Sequence, residues 1–414
     1  MKKRRIYIFN KTAKGANYGI GTYIKQLTTV LKDSDLDVTI VHLYTQGNEM
    51  DVEEKQDYRQ IYIPSPSSRT KNSRSYYNRN IAYLLKEFIS DDKETEIIFQ
   101  LNFMDNEDLI VYLKEFFKCK TILVAHYTDW SFALFGDYAR LKVIVERPPS
   151  TLKKPVEKSV EKNFKGNLKM IKKADKFVCV AKHTSDIFQS LGNVSKEKIE
   201  IINNALEDVY IPLTEKKKTA LRKKYCIDEN TKIILFVGRL DDVKGVNFLI
   251  KAFQRVIITH SNVRLFIAGD TIDFKDLLKE SADCWSKISF TGFLEKKTLY
   301  EFYQIADIGV VCSLHEEFGL VAIEMMMHTL PLIVTKTGGL DEIVEDTVSG
   351  LKVPVRTIRG KRQVDVKCLA DKMAFLLDNP MVAKELGVNG RKRFLEKYGL
   401  SLFSEKMLNL YNNL

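Results

Sequence analysis

The chain has 414 residues and a formal net charge of +11, and this length exceeds one typical hydrophobic core, so two domains are expected. No apolar run approaches the roughly 20 residues that span a bilayer, and the six cysteines lack zinc-ligand spacing, which argues against a membrane-spanning protein and a zinc module. The basic start, MKKRRIYIFNKT, has an apolar stretch of only Ile6 to Phe9, too short for a signal peptide, so we expect a cytoplasmic protein.

The first half alternates short apolar runs with helical patterns. RRIYIFN predicts a buried strand, followed by a glycine-bearing loop, a helix over residues 20–32 and a second strand, VTIVHLY. A polar loop at 65–75 precedes a predicted helix over 76–89, and the later runs IIFQLNF, TILVAHY and KFVCVA predict three more strands. Strands that alternate with helices indicate right-handed crossovers and a parallel sheet.

The positive charge is concentrated between Thr151 and Lys176, in TLKKPVEKSVEKNFKGNLKMIKKADK. A basic surface attracts nucleic acid, anionic lipid or phosphorylated small molecules. No aromatic-interleaved basic motif or helix-turn-helix pattern accompanies it, so we expect no nucleic-acid partner. Two interpretations stay open: a solvated helix face, which we favour, or peripheral contact with an anionic membrane at its inner face.

The second half restarts the strand–helix pattern. Strands are predicted at KIILFVG, VRLFIAG, ISFTGF, IGVVCS and LPLIVT, with helices such as VNFLIKAFQRVI between them. The fold class is therefore α/β, with two doubly wound parallel-sheet domains that join near Asp208 to Thr214, where NNALEDVYIPLT has no periodicity. We place the first domain at 1–208, the second at 209–396, and a terminal segment at 397–414 whose helix crosses back to the first domain.

Ligands of open parallel sheets bind beyond the carboxyl ends of the strands, so the segments after the strands are candidate sites. After the first strand, Gly19 and Gly21 in YGIGTYIKQL precede a helix, where glycine lets the backbone approach a phosphate and free amides can donate to it. A simple strand-to-helix turn is an equally good interpretation. In FVGRLDDVKGV, Gly238 ends a strand and Arg239 and Lys244 follow, and two cations there suit a diphosphate. A pair of ordinary surface cations is the alternative, but their position after a strand, with glycines on either side, favours a functional role.

The stretch SLHEEFGLVAIE places two carboxylates around the start of a helix. Glu316 lies in the exit loop of a strand and Glu324 about two helical turns further on. The first amides of the helix, at Leu320 and Val321, can cap an anion, and the two acids can accept hydrogen bonds from hydroxyls on either side of it. Downstream, the Gly-Gly turn of TKTGGLDEIV lets another backbone or a ligand approach closely. His126 ends a strand of the first domain, although a lone histidine is more often structural.

Together these segments resemble GT-B-fold glycosyltransferases of the large retaining family 4 (glycosyltransferase group 1). HEEFGLVAIE matches the family's E-x7-E signature, FVGRLDDVKG its donor-diphosphate segment, and YGIGTYIKQL its first glycine loop. IEIINNALED resembles its linker, and GGLDEIVEDTVSGLKVPV its Gly-Gly…Glu…Gly-Leu run. The resemblance covers nearly the whole chain and implies two Rossmann-like domains facing across a cleft, the first holding the acceptor and the second the donor.

The resemblance also implies roles for individual residues. Arg239 and Lys244 would neutralise the leaving diphosphate, Glu316 would contact the donor sugar, and Glu324 the ribose. His126 would lie near the sugar and the acceptor. The remaining implied donor-binding residues, which approach the phosphates, the sugar or the base, are Gly19, Gly21, Gly238, Gly292, Phe293, Phe318, Gly319, Leu320 and Val321.

The implied activity is retaining transfer of a sugar from a nucleotide-diphosphate sugar to an unknown acceptor hydroxyl of a glycan, a lipid-linked molecule or a peptide. UDP-sugars are the expected donors, with GDP- and ADP-sugars as alternatives, and no cofactor or metal is expected. The Asp-x-Asp spacing of DSDLD, at 33–37, is interpreted as turn chemistry. Tyr18, Ala205 and Glu317 depart from the family pattern without removing an expected catalytic group. A silent sugar-nucleotide- or glycan-binding subunit and a GT-B-like epimerase or phosphorylase stay open as alternatives.

Overall fold

The structure is a computed structural model that describes residues 3–11, 19–66, 71–89, 94–270 and 274–414. The chain divides into two compact units. The first unit takes its residues from Met1–Leu134, Tyr138–Ala205 and Leu400–Leu414, and the second from Phe135–Asp137 and Leu206–Gly399. The sequence placed these divisions at 208/209 and 396/397, whereas the structure divides the chain at 205/206 and 399/400, and it also assigns three residues of the first half to the second unit.

Strands and helices alternate along both units. The strands are β1 (Lys3–Lys11), β2 (Leu36–Thr45), β3 (Asp51–Glu54), β4 (Arg59–Pro64), β5 (Thr95–Leu101), β6 (Cys119–Ala125), β7 (Lys176–Cys179), β8 (Ile199–Ile201), β9 (Lys232–Val237), β10 (Val263–Ala268), β11 (Ile288–Gly292), β12 (Ile308–Val311), β13 (Leu332–Thr335), β14 (Leu351–Val353), β15 (Val355–Ile358) and β16 (Lys361–Val364). The helices are α1 (Gly19–Leu31), α2 (Lys71–Leu85), α3 (Glu107–Phe116), α4 (Asp129–Ala133), α5 (Tyr138–Glu146), α6 (Pro155–Lys173), α7 (Lys182–Ser190), α8 (Glu215–Lys224), α9 (Val246–Thr259), α10 (Lys275–Glu280), α11 (Lys296–Ile305), α12 (Leu320–Met327), α13 (Gly338–Ile343), α14 (Val366–Asp378), α15 (Pro380–Lys397) and α16 (Leu400–Asn412).

The sheet of the first unit has the order β3-β4-β2-β1-β5-β6-β7-β8. β1 lies between β2 and β5, and all three run parallel, with Ile8 opposite Ile40 on one side and Gln100 on the other. The interior of β1, from Ile6 to Phe9, is buried, as expected for a strand covered on both faces. Because the chain leaves β1 towards β2 and later returns to β5 on the opposite side, the switch point of this sheet lies between β1 and β5.

Strands β3 and β4 and one helix of the first unit differ from the predictions. The edge strand β3 pairs antiparallel with β4, and neither was predicted. DVEE has no apolar pattern, and the apolar run of RQIYIP, Ile61 to Ile63, is only three residues long. The helix predicted over 76–89 begins at Lys71 and ends at Leu85. Beyond Leu85 the backbone tightens into a turn in which the Phe88 amide donates to the Leu85 carbonyl at 3.1 Å, and this turn still buries the apolar Ile89 that suggested a longer helix.

The sheet of the second unit has the order β11-β10-β9-β12-β13-β14, with parallel neighbours throughout. The five strands predicted here are confirmed, while β14 and the β15–β16 hairpin were not predicted. The chain passes from β9 to β10 and β11 on one side and then returns to β12 on the other. The switch point of this sheet therefore lies between β9 and β12.

The terminal helix α16 packs within the first unit. The Tyr411 hydroxyl donates to Gln100 Oε1 on β5 at 2.6 Å, and Arg4 on β1 donates to Asn412 Oδ1 at 2.9 Å. Phe403 lies edge-on to the Tyr23 ring of α1, with centroids 5.7 Å apart. These contacts tie the end of the chain to β1, β5 and α1.

Helix α6 contains most of the lysine-rich stretch, and it has two distinct faces. Its apolar face is buried in the first unit around Phe164 and Met170, and the Trp130 indole donates to Asn167 Oδ1 at 3.0 Å. The opposite face, called the lysine face below, consists of exposed lysines at helical spacing: Lys158, Lys162, Lys165, Lys169 and Lys172. Among the helices described, none has the combined length and apolarity needed to cross a bilayer.

Candidate functional site

The loops that follow β9 and β12 meet at the switch point of the second unit. The Leu314 amide, after β12, donates to the Val243 carbonyl, after β9, at 2.7 Å. The Cys312 thiol donates to the carbonyls of Lys244 and Gly245, each at 3.4 Å. These bonds join two loops that are about 70 residues apart in sequence, and they fix the positions of the side chains on both loops.

Gly245 makes this close approach possible. Its φ of 70° lies in the left-handed region, and a Cβ there would lie 2.3 Å from the Cys312 carbonyl oxygen. Only glycine satisfies both the backbone angle and the available space. Gly245 ends the short 3-10 turn Asp242–Lys244 and begins α9, so it places Lys244 beside the loop that follows β12.

Lys244 and Glu316 form an ion pair across the switch point. Lys244 Nζ lies 2.5 Å from Glu316 Oε1, and the Ser313 hydroxyl donates to the same oxygen at 2.9 Å. The two side chains are only 19% and 16% exposed. Burial raises the pKa of Glu316, but the charge and hydrogen bond of Lys244, together with the Ser313 hydrogen bond, outweigh burial and lower that pKa overall. Glu316 is therefore a carboxylate at neutral pH.

Arg239 lies in the same loop as Lys244 but contacts a different carboxylate. Its guanidinium lies 3.1 Å from Asp241 Oδ2 and is about half exposed. Asp241 Oδ1 in turn accepts from the Lys244 amide at 3.1 Å, so Asp241 connects the two cations that were predicted to act together. Gly238, which precedes Arg239, donates its amide to the Ala268 carbonyl of β10 at 3.0 Å.

Glu324 occupies the second turn of α12 and belongs to a separate network. It is only 5% exposed; Oε2 accepts from the Tyr303 hydroxyl at 3.0 Å, and Oε1 is paired with Lys296 Nζ. Burial lowers the pKa of Lys296, but the charge of Glu324 outweighs burial and raises it overall. Sequence reasoning missed both partners, although Lys296 and Tyr303 lie seven positions apart on α11 and so share one helical face.

The Gly-Gly turn packs closely against the backbone of the loop that precedes α12. A Cβ on Gly339 would lie 2.2 Å from the Phe318 carbonyl oxygen, and the Gly339 amide donates to the Glu316 carbonyl at 2.9 Å. The turn thus supports Phe318 and Gly319, which precede α12. The first amides of α12, at Leu320 and Val321, have no acceptor within the helix because of helix geometry.

Gly292 and Phe293, predicted near the base, lie at the end of β11, the edge strand of the second sheet. The Gly292 carbonyl accepts from the Gly269 amide at 2.9 Å, and the Phe293 amide donates to Asp270 Oδ1 at 3.0 Å. The Phe293 side chain is 58% exposed. Gly292 and Phe293 therefore lie at the end of β11, two places from β9 in the sheet. Lys244 and Glu316, in contrast, are in contact after β9 and β12.

The remaining predicted site residues lie in the first unit. His126 follows β6, and its Nε2 lies 3.1 Å from Asn102 Oδ1, with its ring edge-on to Tyr23 at 4.4 Å. Gly19 is the first residue of α1 and Gly21 is in its first turn. Tyr18 lies outside the described residues.

The Asp-x-Asp segment forms a turn and the start of a strand. Asp33 and Asp35 lie in the turn after α1, and Asp37, in β2, contacts Lys3 at 3.7 Å and Arg5 at 3.4 Å. Within the part of the chain that the structure describes, no group of three or more His, Cys, Asp or Glu side chains is arranged to hold a metal ion. Glu317, a departure from the family pattern, is buried and lies 3.1 Å from His315 Nε2.

The second unit is similar in sequence to a known family of proteins. Residues 217–393 match the family described as glycosyl transferases group 1. The match covers less than half of the chain and shows that this segment is similar to glycosyl transferases group 1. The matching segment contains Arg239, Lys244, Glu316 and Glu324, so the Lys244–Glu316 pair lies within the part of the chain that carries this similarity.

Curated relatives align over part of their length. An uncharacterized glycosyltransferase of Methanocaldococcus jannaschii is 30% identical over 247 residues, which cover 56% of this chain and 59% of that protein. The alpha-D-kanosaminyltransferase of Streptomyces kanamyceticus is 28% identical over 204 residues, covering 49% of this chain and 50% of that one. The chain thus spans between about half and three fifths of the length of these relatives.

Solved structures match nearly the whole chain. Sucrose-phosphate synthase from Thermosynechococcus elongatus superposes with a TM-score of 0.77 at 20% identity, covering 99% of both chains. Anabaena HepE, solved in complex with UDP-glucose, has a TM-score of 0.72 at 13% identity, covering 99% of this chain and 100% of that one. At these identities the likeness establishes the fold, which is GT-B, and the predicted fold class is confirmed.

Proposed function

We propose that the protein is a retaining glycosyltransferase that moves a sugar from a nucleotide-diphosphate sugar to an acceptor hydroxyl without a metal ion. The observation that carries this proposal is the Lys244–Glu316 pair at the switch point of the second unit, within the segment similar to glycosyl transferases group 1. In the reaction, the bond between the anomeric carbon and the diphosphate oxygen breaks and a bond to the acceptor oxygen forms. The acceptor hydroxyl loses its proton, and a nucleoside diphosphate leaves.

The two cations after β9 serve the leaving group. Negative charge builds on the diphosphate as the glycosidic bond breaks, and fixed cations stabilise it without the help of a metal. Lys244 supplies a point charge from a partly buried position, and Arg239 supplies a fork of donors from a half-exposed one. The amides at the start of α12 add dipoles of the same sign.

Glu316 acts as a carboxylate in this scheme. Its lowered pKa makes it unsuitable as a proton donor at neutral pH, and suits it to accept hydrogen bonds from sugar hydroxyls and to stabilise positive charge on the ring. Double displacement in glycosidases needs a second carboxyl group as acid, whereas Glu324 is held by Tyr303 and Lys296. We therefore propose departure and attack on one face of the sugar, with the leaving phosphate taking the acceptor proton.

Glu324 suits the ribose of the donor. An ionised carboxylate has about four lone-pair positions, and its present partners leave room for two hydroxyl donors. Lys296 is 54% exposed whereas Glu324 is buried, so a ribose can take the place of the lysine while the Tyr303 bond holds the carboxylate. We propose UDP-sugars as donors, since HepE, which shares the fold, is solved with UDP-glucose; GDP- and ADP-sugars are the alternatives.

Contact with an anionic membrane from the cytoplasmic side is a second proposal, and the lysine face carries it. Its five lysines are exposed on one side of α6, whereas the apolar side of the helix is buried in the first unit. Binding would therefore be electrostatic, through headgroups, with no insertion of the helix. It would suit a lipid-linked acceptor, whereas a glycan or peptide acceptor would not need it.

The test is release of UDP from UDP-sugars, with product detected by mass spectrometry in the presence of candidate acceptors. Lys244→Ala should lower turnover by about 10²-fold, the scale of losing one charge-stabilising donor. Lys223→Ala is the matched control, because Lys223 is an exposed lysine of the same unit on α8. EDTA should have little effect. A wild-type chain that binds UDP without turnover would favour the silent subunit. Turnover that depends on inorganic phosphate would favour a phosphorylase, and isomerisation of the donor without an acceptor would favour an epimerase.

A further inference from the structure

The first unit has an ion pair at its own switch point. Lys11 is the last residue of β1, and Asp105 lies in the loop that follows the neighbouring strand β5. Lys11 Nζ is paired with Asp105 Oδ1. Arg74, from α2, lies 2.9 Å from the other oxygen, Oδ2. Asp105 therefore joins two cations at the carboxyl edge of the sheet, between the strands where open α/β sheets bind ligands.

A fourth charge follows β6, the strand next to β5, at the same edge of the sheet. Asp129 begins α4, in the loop after β6. Burial raises its pKa, the charge of Asp105 adds to that rise, and the charges of Lys11 and Arg74 oppose it. We call Lys11, Arg74, Asp105 and Asp129 the switch-point cluster. Lys11 is the least exposed of the three paired side chains: the exposed fractions of Lys11, Asp105 and Arg74 are 15%, 35% and 49%.

Aromatic rings border the switch-point cluster. Lys11 Nζ lies 4.4 Å from the centroid of the Phe103 ring and 5.8 Å from that of Tyr44. Tyr44 stacks on Tyr77 with centroids 4.7 Å apart. Tyr127 lies in the loop between β6 and α4, two positions before Asp129, and burial raises its pKa to about 12, with the charges of Asp105 and Asp129 contributing. Aromatic faces beside a few polar groups are typical of sites for small ligands.

The loop that carries Asp105 is held rigidly. Its neighbour Asn106 is buried and exchanges two hydrogen bonds with Asn78 of α2, one of them at 2.9 Å. The Asn102 amide side chain donates to the Phe9 carbonyl of β1 at 3.2 Å. Two buried asparagines therefore fix the loop to β1 and to α2, the elements that supply the other charged partners, so the switch-point cluster is pre-organised.

We propose that the switch-point cluster binds the acceptor as an uncharged, hydroxyl-rich ring, that is, a glycosyl residue. This inference rests on the proposed glycosyl transfer and adds the class of acceptor. Two cations and two carboxylates have a formal sum of zero, and they present donors and acceptors side by side. A sugar hydroxyl both donates and accepts, and the apolar faces of a sugar ring can lie on the bordering aromatic rings.

The same charges select against an anionic acceptor. Lys11 and Arg74 would attract a phosphate or carboxylate at this position, but both cations already contact Asp105. It would also meet the two carboxylates, and like charges brought together in a partly buried site oppose binding. The switch-point cluster should therefore prefer a neutral glycosyl residue to the same sugar with a phosphate.

The experiment is saturation-transfer NMR on the full chain in the presence of UDP. The probes are the methyl glycosides of glucose, galactose, mannose and N-acetylglucosamine in both anomeric forms, with glucose 6-phosphate as the charged competitor. Asp105→Asn and Arg74→Gln should each weaken glycoside binding by about tenfold, the scale of losing a hydrogen bond to a charged group. Arg74 is about half exposed, so its variant tests the site even if Asp105→Asn disturbs folding, which circular dichroism will show.

Asp35→Asn is the matched control, because Asp35 is an exposed aspartate of the same unit in the turn after α1. A glycoside signal lost in both cluster variants and kept in the control supports the assignment. Three results would overturn it: no signal from any glycoside, equal signals in all variants, or preferential binding of glucose 6-phosphate. Binding of UDP, titrated separately, distinguishes the two proposals. If UDP fails to bind the wild-type chain, the proposed function fails; if UDP binds and the glycosides do not, only the acceptor assignment fails.

Discussion

Lys244 and Glu316 lie 72 positions apart, yet their charged atoms are 2.5 Å apart at the switch point of the second sheet. The contact depends on Gly245, whose missing side chain admits the Cys312 carbonyl. A cation and a carboxylate are thereby fixed at the edge of the sheet where parallel α/β domains bind ligands. Their proposed roles, toward the diphosphate and the sugar of a donor, follow from this position.

The first prediction concerns pH. Folding lowers the pKa of Glu316, so its ionised form contributes stability that is fully present above the pKa of the unfolded carboxyl. That contribution is lost as pH falls through the lower folded-state pKa. The difference in unfolding free energy between the wild type and Glu316→Gln should therefore be constant from about pH 8 to 5 and shrink at lower pH. Urea titrations across this series measure it, and a difference that grows on acidification would contradict the assigned direction.

The second prediction concerns Gly245. In Gly245→Ala, the alanine must adopt a left-handed backbone conformation, and its Cβ overlaps with the Cys312 carbonyl oxygen. Gly360 also has a left-handed backbone, with a φ of 75°, but a Cβ added there would have no atom within 4 Å. Gly360→Ala should cost about 1 kcal/mol, the strain alone. Gly245→Ala should cost a further ~1–3 kcal/mol for the overlap and should lower turnover by displacing Lys244. Thermal unfolding of the two variants side by side measures the difference, and equal melting temperatures would show that the close approach does not matter.

The third prediction concerns stereochemistry. With departure and attack on one face of the sugar, an α-linked donor should give an α-linked product. NMR of the anomeric proton, followed during the reaction with a UDP-sugar that is turned over, reads the configuration before any mutarotation. A β-linked first product would rule out the retaining mechanism while leaving glycosyl transfer itself in place.

The fourth prediction concerns the lysine face. Each lysine near an anionic bilayer contributes about 1 kcal/mol at low salt, so replacing Lys158, Lys162, Lys165, Lys169 and Lys172 by Gln should abolish co-sedimentation with anionic liposomes. A control with Gln at Lys216, Lys217 and Lys223, exposed on α8, should still bind, and binding should weaken as salt screens the charges. Equal, negligible binding of the wild type to anionic and neutral liposomes would leave α6 as ordinary surface.

Local patterns explain what could be predicted from the sequence. Continuous apolar runs such as Ile233 to Val237 predict buried parallel strands, and the residues after each run must then lie at one edge of the sheet. This reasoning placed Arg239, Lys244 and Glu316 at the ends of β9 and β12. It could not identify β3, whose sequence, DVEE, has no apolar pattern and pairs only because β4 offers an edge.

Side-chain partners were harder to predict because spacing along the chain does not say which side chains meet. Lys296 and Tyr303 lie on α11, and only packing of that helix beside α12 brings them to Glu324. The pairing of Lys11 with Asp105 likewise depends on β1 and β5 being neighbours. A strand order that places the fifth strand beside the first is not encoded in any local pattern.

Calorimetric titration of UDP into the wild type, Lys244→Ala and Lys223→Ala measures binding at the proposed diphosphate site without assuming a sugar or an acceptor. UDP should bind the wild type and Lys223→Ala with equal affinity and should bind Lys244→Ala about tenfold or more weakly, the scale of losing a hydrogen bond to a charged group. Equal affinities for all three proteins, or no binding of UDP to the wild type, would contradict the proposed diphosphate site.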